Sequence, residues 1–163
     1  MYKLFLTAVA FFVLVTGFSQ SESTTKPKLY HPEADARGEI KAAVEMAGKE
    51  GKHVMLMIGG NWCSWCLRFN DKLTTNDTLK TAFEKSYVMY HVNYSKENFN
   101  EEVLASLGYP QRFGFPVFVI LDGKGNRIHT KSSAYLESGK GYSTKEVVDF
   151  FNQWSPAALD PKT

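Results

Sequence analysis

The sequence predicts an α/β domain built on a mixed β-sheet, and three of its features carry that reading. Stretches with helical apolar periodicity alternate with short apolar runs that read as strands. The group Cys63-Ser64-Trp65-Cys66 directly follows one such run, in the order strand, short turn, helix. Further on, Pro116 opens the run Val117-Phe118-Val119-Ile120-Leu121, and the turn Asp122-Gly123-Lys124-Gly125-Asn126 returns the chain as an antiparallel neighbour.

The chain opens with Met1-Tyr2-Lys3 and an almost unbroken apolar stretch from Leu4 to Val15, then Thr16-Gly17-Phe18-Ser19. Small residues stand where a signal peptidase reads, so residues 1–19 are expected to be a secretory signal peptide. A membrane anchor would want about 20 predominantly apolar residues, and this run breaks into Ser, Thr and Lys too early. No cysteine is placed to carry a lipid at the new N-terminus. The mature protein is expected to be exported, periplasmic or secreted, and soluble. Residues 20–33, rich in Ser, Thr, Lys and Pro, read as a flexible lead-in. Residues 34–155 suit a single domain with one core, and residues 156–163 read as a C-terminal tail.

Within the domain, Ile40, Ala43, Val44 and Ala47 share one face of a helix over 35–50, and Gly51 sits where a left-handed cap would end it. His53 to Ile58 reads as a buried strand, and the cysteine group begins a helix after Gly59-Gly60-Asn61-Trp62. A helical piece over 77–85 carries Leu79, Ala82 and Phe83 on one side, and Tyr87 to Tyr94 is a further strand. A short helix over 100–107 stops at Gly108. The last helix starts at a capping box, Ser143 with Glu146, buries Val147, Phe150, Phe151 and Trp154, and ends at Pro156.

Both cysteines of the chain lie in the one group, three positions apart. A disulfide between them closes too small a loop to staple a fold, so reactivity explains the pair better than stability. In disulfide exchange a thiolate attacks a disulfide sulfur and a second thiol resolves the mixed disulfide. At a helix start, backbone amides and the dipole favour an anion, which makes Cys63 the expected nucleophile, exposed and with a lowered pKa. Cys66, one turn in, is the expected resolving thiol. A zinc site would need four ligands, with only four scattered histidines to complete it. Haem attachment needs His after the second cysteine, where Leu67 stands. No metal and no organic cofactor is expected beyond the redox-active Cys63–Cys66 disulfide. The formal net charge is +2 with both signs interspersed, which points away from nucleic acid or an anionic membrane as partner.

Trp62-Cys63-Ser64-Trp65-Cys66 after a strand, with Gly114-Phe115-Pro116 before a strand and a turn, resembles the thioredoxin superfamily, and within it the exported disulfide oxidoreductases. The likeness runs from about Asp35 to Trp154. It implies a thioredoxin-like fold, a central mixed β-sheet with helices on both faces, and thiol-disulfide exchange with cysteine-containing exported proteins. It also implies a membrane or envelope redox partner that recycles the pair. By the same resemblance Pro116 is expected to follow a cis peptide bond and Phe115 to offer its backbone to an extended substrate. X-Pro bonds favour trans by only about 0.5–1 kcal/mol, so a fold can hold them cis.

The chain departs from the family in places. The buried aspartate that many relatives carry six residues before the first cysteine is Met57 here, which reads as core filling. The lysine of the neighbouring strand aligns with His91, which could handle the proton of Cys66; an ordinary strand histidine is the plainer reading. Gly108 to Gly114 makes a slightly long link to Pro116. Trp62, Trp65, Phe113 and Phe115 could form an apolar platform for an extended substrate, or simply pack the site. The alternative to an exchange enzyme is a client-binding or redox-sensing module without turnover. A thiol peroxidase fits less well, since the paired motif beside Trp is unusual there.

Overall fold

The computed structural model describes residues 28–160. The expected signal peptide, residues 20–27 of the lead-in and residues 161–163 lie outside the described residues. The first helix, α1 (Ala36–Glu50), ends at Gly51, whose φ of 65° is the left-handed cap anticipated from sequence. Strand β1 (His53–Gly59) follows, buried along its whole length. Helices α2 (Ser64–Thr75) and α3 (Asp77–Ser86) meet at Asn76, whose side chain accepts from the Leu79 amide and caps α3. Next come β2 (Tyr87–Asn93), α4 (Glu101–Ser106), β3 (Val117–Leu121) and β4 (Arg127–Ser132). A two-stranded ribbon, β5 (Glu137–Ser138) with β6 (Gly141–Tyr142), precedes α5 (Thr144–Gln153). Ser143 caps α5 by accepting from the Glu146 amide, as its pattern predicts.

The main sheet has strand order β2-β1-β3-β4. β1 runs parallel to β2 and antiparallel to β3, and β3 is antiparallel to β4. Period-2 alternation splits the two central strands between two cores. Met55, Met57, Phe118 and Ile120 face α2, α3 and α5. Val54, Leu56, Ile58, Val117, Val119 and Leu121 face α1 and α4. Helices therefore cover both faces. Trp154 falls just beyond α5 and is only partly buried, its ring stacked 3.9 Å from that of His129.

Several features are corrections to the sequence reading. The ribbon β5–β6 is too short for a periodic signal, and the 3-10 turn Ala157–Leu159 occupies what was expected to be tail. The more consequential one is at the other end. Residues 28–33 are not a loose lead-in, because Tyr30 is fully buried in the core beside α2. Asn61, in the turn before the cysteines, holds this segment with three hydrogen bonds. Its Oδ1 accepts from the amides of Leu29 and Tyr30 at 3.0 and 3.1 Å, and its Nδ2 donates to the Tyr30 carbonyl at 2.7 Å. One side chain thus pairs backbone groups that no sheet reaches. Asn61→Ala is expected to cost about 1–3 kcal/mol in urea unfolding and to open the segment around Tyr30 to limited proteolysis; an unchanged unfolding midpoint would contradict the clamp.

Candidate functional site

β1 delivers the chain to the site at its C-terminal end. The Cys63 amide donates to the Gly60 carbonyl at 2.9 Å, closing a turn that leaves Cys63 extended at the N-cap of α2. Its Sγ accepts from the Cys66 amide at 3.1 Å, so a helix N-terminal N–H points at this sulfur. Such a donor favours negative charge there once the pair is reduced. Cys63 and Cys66 form a disulfide with 5.2 Å between Cα atoms. Cys66 is 0% exposed and Cys63 only 5%. Cys63, the expected nucleophile, is thus less exposed than expected, because it packs into the cluster of Met57, Phe69 and Tyr30; it is nonetheless the more exposed residue of the pair.

Two glycines make this packing feasible. A side-chain carbon on Gly59 would run into the Cys66 sulfur and lie 2.9 Å from the Tyr30 hydroxyl. One on Gly60 would run into the indole nitrogen of Trp62 and lie 2.9 Å from the Tyr94 carbonyl. That indole instead donates to the Tyr94 carbonyl at 2.7 Å, fixing the ring although Trp62 is 57% exposed.

The peptide bond between Phe115 and Pro116 is cis, and Pro116 is buried. Phe115 meets the Trp62 ring edge-on at 5.3 Å, which places the proline loop beside the cysteine turn. The link before it is the 3-10 turn Pro110–Phe113, held by the Arg112 guanidinium on the carbonyls of Gly108 and Tyr109.

Residues 35–123, more than half of the chain, match the family described as thioredoxin-like. The chain belongs to that family. Its fold is similar to three solved structures. A disulphide isomerase from Xylella fastidiosa Temecula1 is 23% identical, with 79% of this chain and 98% of that one covered at a TM-score of 0.70. DsbH oxidoreductase is 22% identical, covering 69% and 80% at 0.51. The DsbD C-terminal domain of Neisseria meningitidis is 18% identical, covering 72% and 94% at 0.51. No curated protein matches the chain.

Around this thioredoxin-like centre the expected aromatic platform divides. Trp62 and Phe115 are joined by Tyr94, stacked on Phe115 at 4.9 Å, and by Phe99, 5.0 Å from Tyr94. Trp65 packs instead against Tyr142 at 5.5 Å, with the Arg68 guanidinium over its ring. Phe113 lies under the Arg112 guanidinium at 4.4 Å. Tyr94 has no sequence signal because its contacts, with Trp62 and Phe115, join segments far apart in the chain, and Phe99 enters the row only by packing on Tyr94. Among the described residues no three His, Cys, Asp or Glu side chains gather as a metal site.

His91 sits on β2 in register with Met57, and its ring meets Tyr30 edge-on at 5.5 Å. Its Nε2 is buried without a hydrogen bond. Burial, with a smaller contribution from the charge of His31, pushes its pKa from 6.5 down to about 4. Between those values the unfolded chain binds a proton that the folded protein refuses, so stability falls as pH drops from about 6.5 towards 4. His91→Gln is expected to flatten this part of the curve when urea midpoints are compared between pH 7 and pH 4; equal slopes in parent and variant would contradict the burial effect.

Proposed function

We propose that this protein is a thiol-disulfide oxidoreductase acting on cysteine-containing exported proteins. The Cys63 thiolate attacks a substrate disulfide, forming a mixed disulfide and releasing one substrate thiolate, which takes up a proton. The Cys66 thiolate then attacks the Cys63 sulfur, the mixed disulfide breaks, and the second substrate thiolate leaves. Two electrons pass to the substrate and the Cys63–Cys66 disulfide remains. Run in reverse, the same steps oxidise a dithiol. The observation that carries this reading is the Cys63 sulfur at the N-cap of α2, accepting from the Cys66 amide next to the cis Phe115–Pro116 bond.

Action outside the cytoplasm is supported by the leader read in residues 1–19 and by the likeness to a disulphide isomerase and to DsbH oxidoreductase. No helix of the described residues is long and apolar enough to cross a membrane. A membrane or envelope redox partner would return the pair to its working state. In this reading Trp62 and Phe115 receive an extended substrate segment, with Trp65 flanking it and the Phe115 backbone beside the cis-proline Pro116 offering hydrogen bonds. The exposure of Trp62 favours the second reading too, a client-binding or redox-sensing module that uses the same aromatic row without turnover.

Equilibration of the chain from Gln20 onward in glutathione buffers, followed by Trp62 and Trp65 fluorescence, is expected to show one reversible two-electron transition. Thioredoxin-fold proteins span about −270 to −120 mV, so the midpoint reads out the direction of electron flow. Absence of any transition would overturn the enzyme reading in favour of the binding module. Cys63→Ser is expected to lower exchange roughly a thousandfold or more, and Cys66→Ser to accumulate mixed disulfides, both visible on non-reducing gels.

A further inference from the structure

Resolution poses a chemical difficulty for this site. Cys66 must lose its proton before it attacks, yet it is 0% exposed and sits among Met57, Phe69 and Phe118. A thiolate forming in such surroundings needs a hydrogen-bond donor aimed at it. The peptide amides nearby are already engaged, that of Cys66 by the Cys63 sulfur and that of Cys63 by the Gly60 carbonyl.

Tyr30 supplies what is missing. Its side chain is 0% exposed, and its hydroxyl has no hydrogen-bond partner in the disulfide form. Buried hydroxyls are rarely left so, and an orphan in a native core calls for an explanation. The space that a Cβ on Gly59 would fill touches both the Cys66 sulfur and the Tyr30 hydroxyl, so the two are neighbours across that glycine. Burial, reinforced by the nearby Tyr142, raises the Tyr30 pKa far above its ordinary value, so the phenol keeps its proton and acts as a donor. The Asn61 clamp fixes the backbone of Tyr30 to the same turn that carries the cysteines.

We propose that the Tyr30 hydroxyl donates a hydrogen bond to the Cys66 sulfur when that sulfur becomes a thiolate, and thereby speeds resolution of the mixed disulfide. The inference rests on the exchange reading above and assigns a positioning residue to its second step. Tyr30 stays protonated throughout. The proton that Cys66 loses ends on the departing substrate thiolate, while the Cys66–Cys63 bond forms and the Cys63–substrate bond breaks. In the disulfide the sulfur is a poor acceptor, which accounts for the idle hydroxyl. The titratable groups that face Tyr30 are the cysteines, His91 from β2 and Tyr142 beside α2. A carboxylate is not among the influences that move its pKa.

The test uses the reduced chain mixed with oxidised glutathione, acid-quenched and weighed by mass spectrometry, so that formation and decay of the Cys63–glutathione adduct are read separately. Tyr30→Phe removes only an unpartnered hydroxyl, so its oxidised form is expected to melt no lower than the parent. Adduct formation is expected to be unchanged and its decay slowed about tenfold, the equivalent of one hydrogen bond to a charged group. The pH at which decay reaches half its maximum is expected to rise, which a merely packing role would not produce. His91→Gln is expected to leave decay unchanged. Equal decay in parent and Tyr30→Phe, or slow decay in His91→Gln alone, would overturn the inference while leaving the exchange reading intact. Failure of the parent to form any adduct would overturn the exchange reading, and the inference with it.

Discussion

The two-sided burial of β1 sets the position of the site. Every residue from His53 to Gly59 is buried, with one set of alternate side chains in each of two cores. At about 1.5–3 kcal/mol for each large apolar side chain fully buried, this strand cannot slip by one residue, because a slip would exchange the sets. Its end point is therefore fixed, and so is the place where the chain leaves the sheet to make the cysteine turn. The site inherits its position from the most strongly determined element of the fold.

From that end point the geometry is governed by close approach rather than by further hydrophobic area. Gly59 and Gly60 lack side chains where the Cys66 sulfur and the Trp62 indole must pass. The turn that results brings Asn61 against residues 29 and 30, Trp62 against the Tyr94 carbonyl, and the Cys63 sulfur against the Cys66 amide. Three consecutive side chains thus face three different neighbours, an arrangement for which the strand supplies the rigid base. Cys63 is slightly exposed and Cys66 fully buried, so the two residues differ in solvation before any chemistry begins.

That difference frames the electrostatics of exchange. A helix N-terminus favours charge on Cys63, whereas charge on Cys66 has to be accommodated in apolar surroundings. His91 cannot supply a cation there near neutral pH, since burial holds its imidazole neutral down to about pH 4. A neutral donor such as a phenol is better suited to the place, as it needs no charge of its own to be desolvated.

The main helices and strands and the centre of the chemistry are legible in the sequence. Strong apolar periodicity, a capping box at Ser143, a turn at Asp122 to Asn126 and the Cys63/Cys66 spacing are local patterns, and local patterns survive without knowledge of the fold. Even the cis bond before Pro116 was legible, through the resemblance that Gly114-Phe115-Pro116 carries. Folding alone brings distant segments into contact: Tyr30 beside Cys66, Asn61 on Leu29, Tyr94 on Phe115, and Trp65 turned towards Tyr142. A segment of Ser, Thr, Lys and Pro gives no periodic sign that one tyrosine within it is a core residue. Its burial depends on a cavity that other elements create, and no spacing along the chain records a cavity.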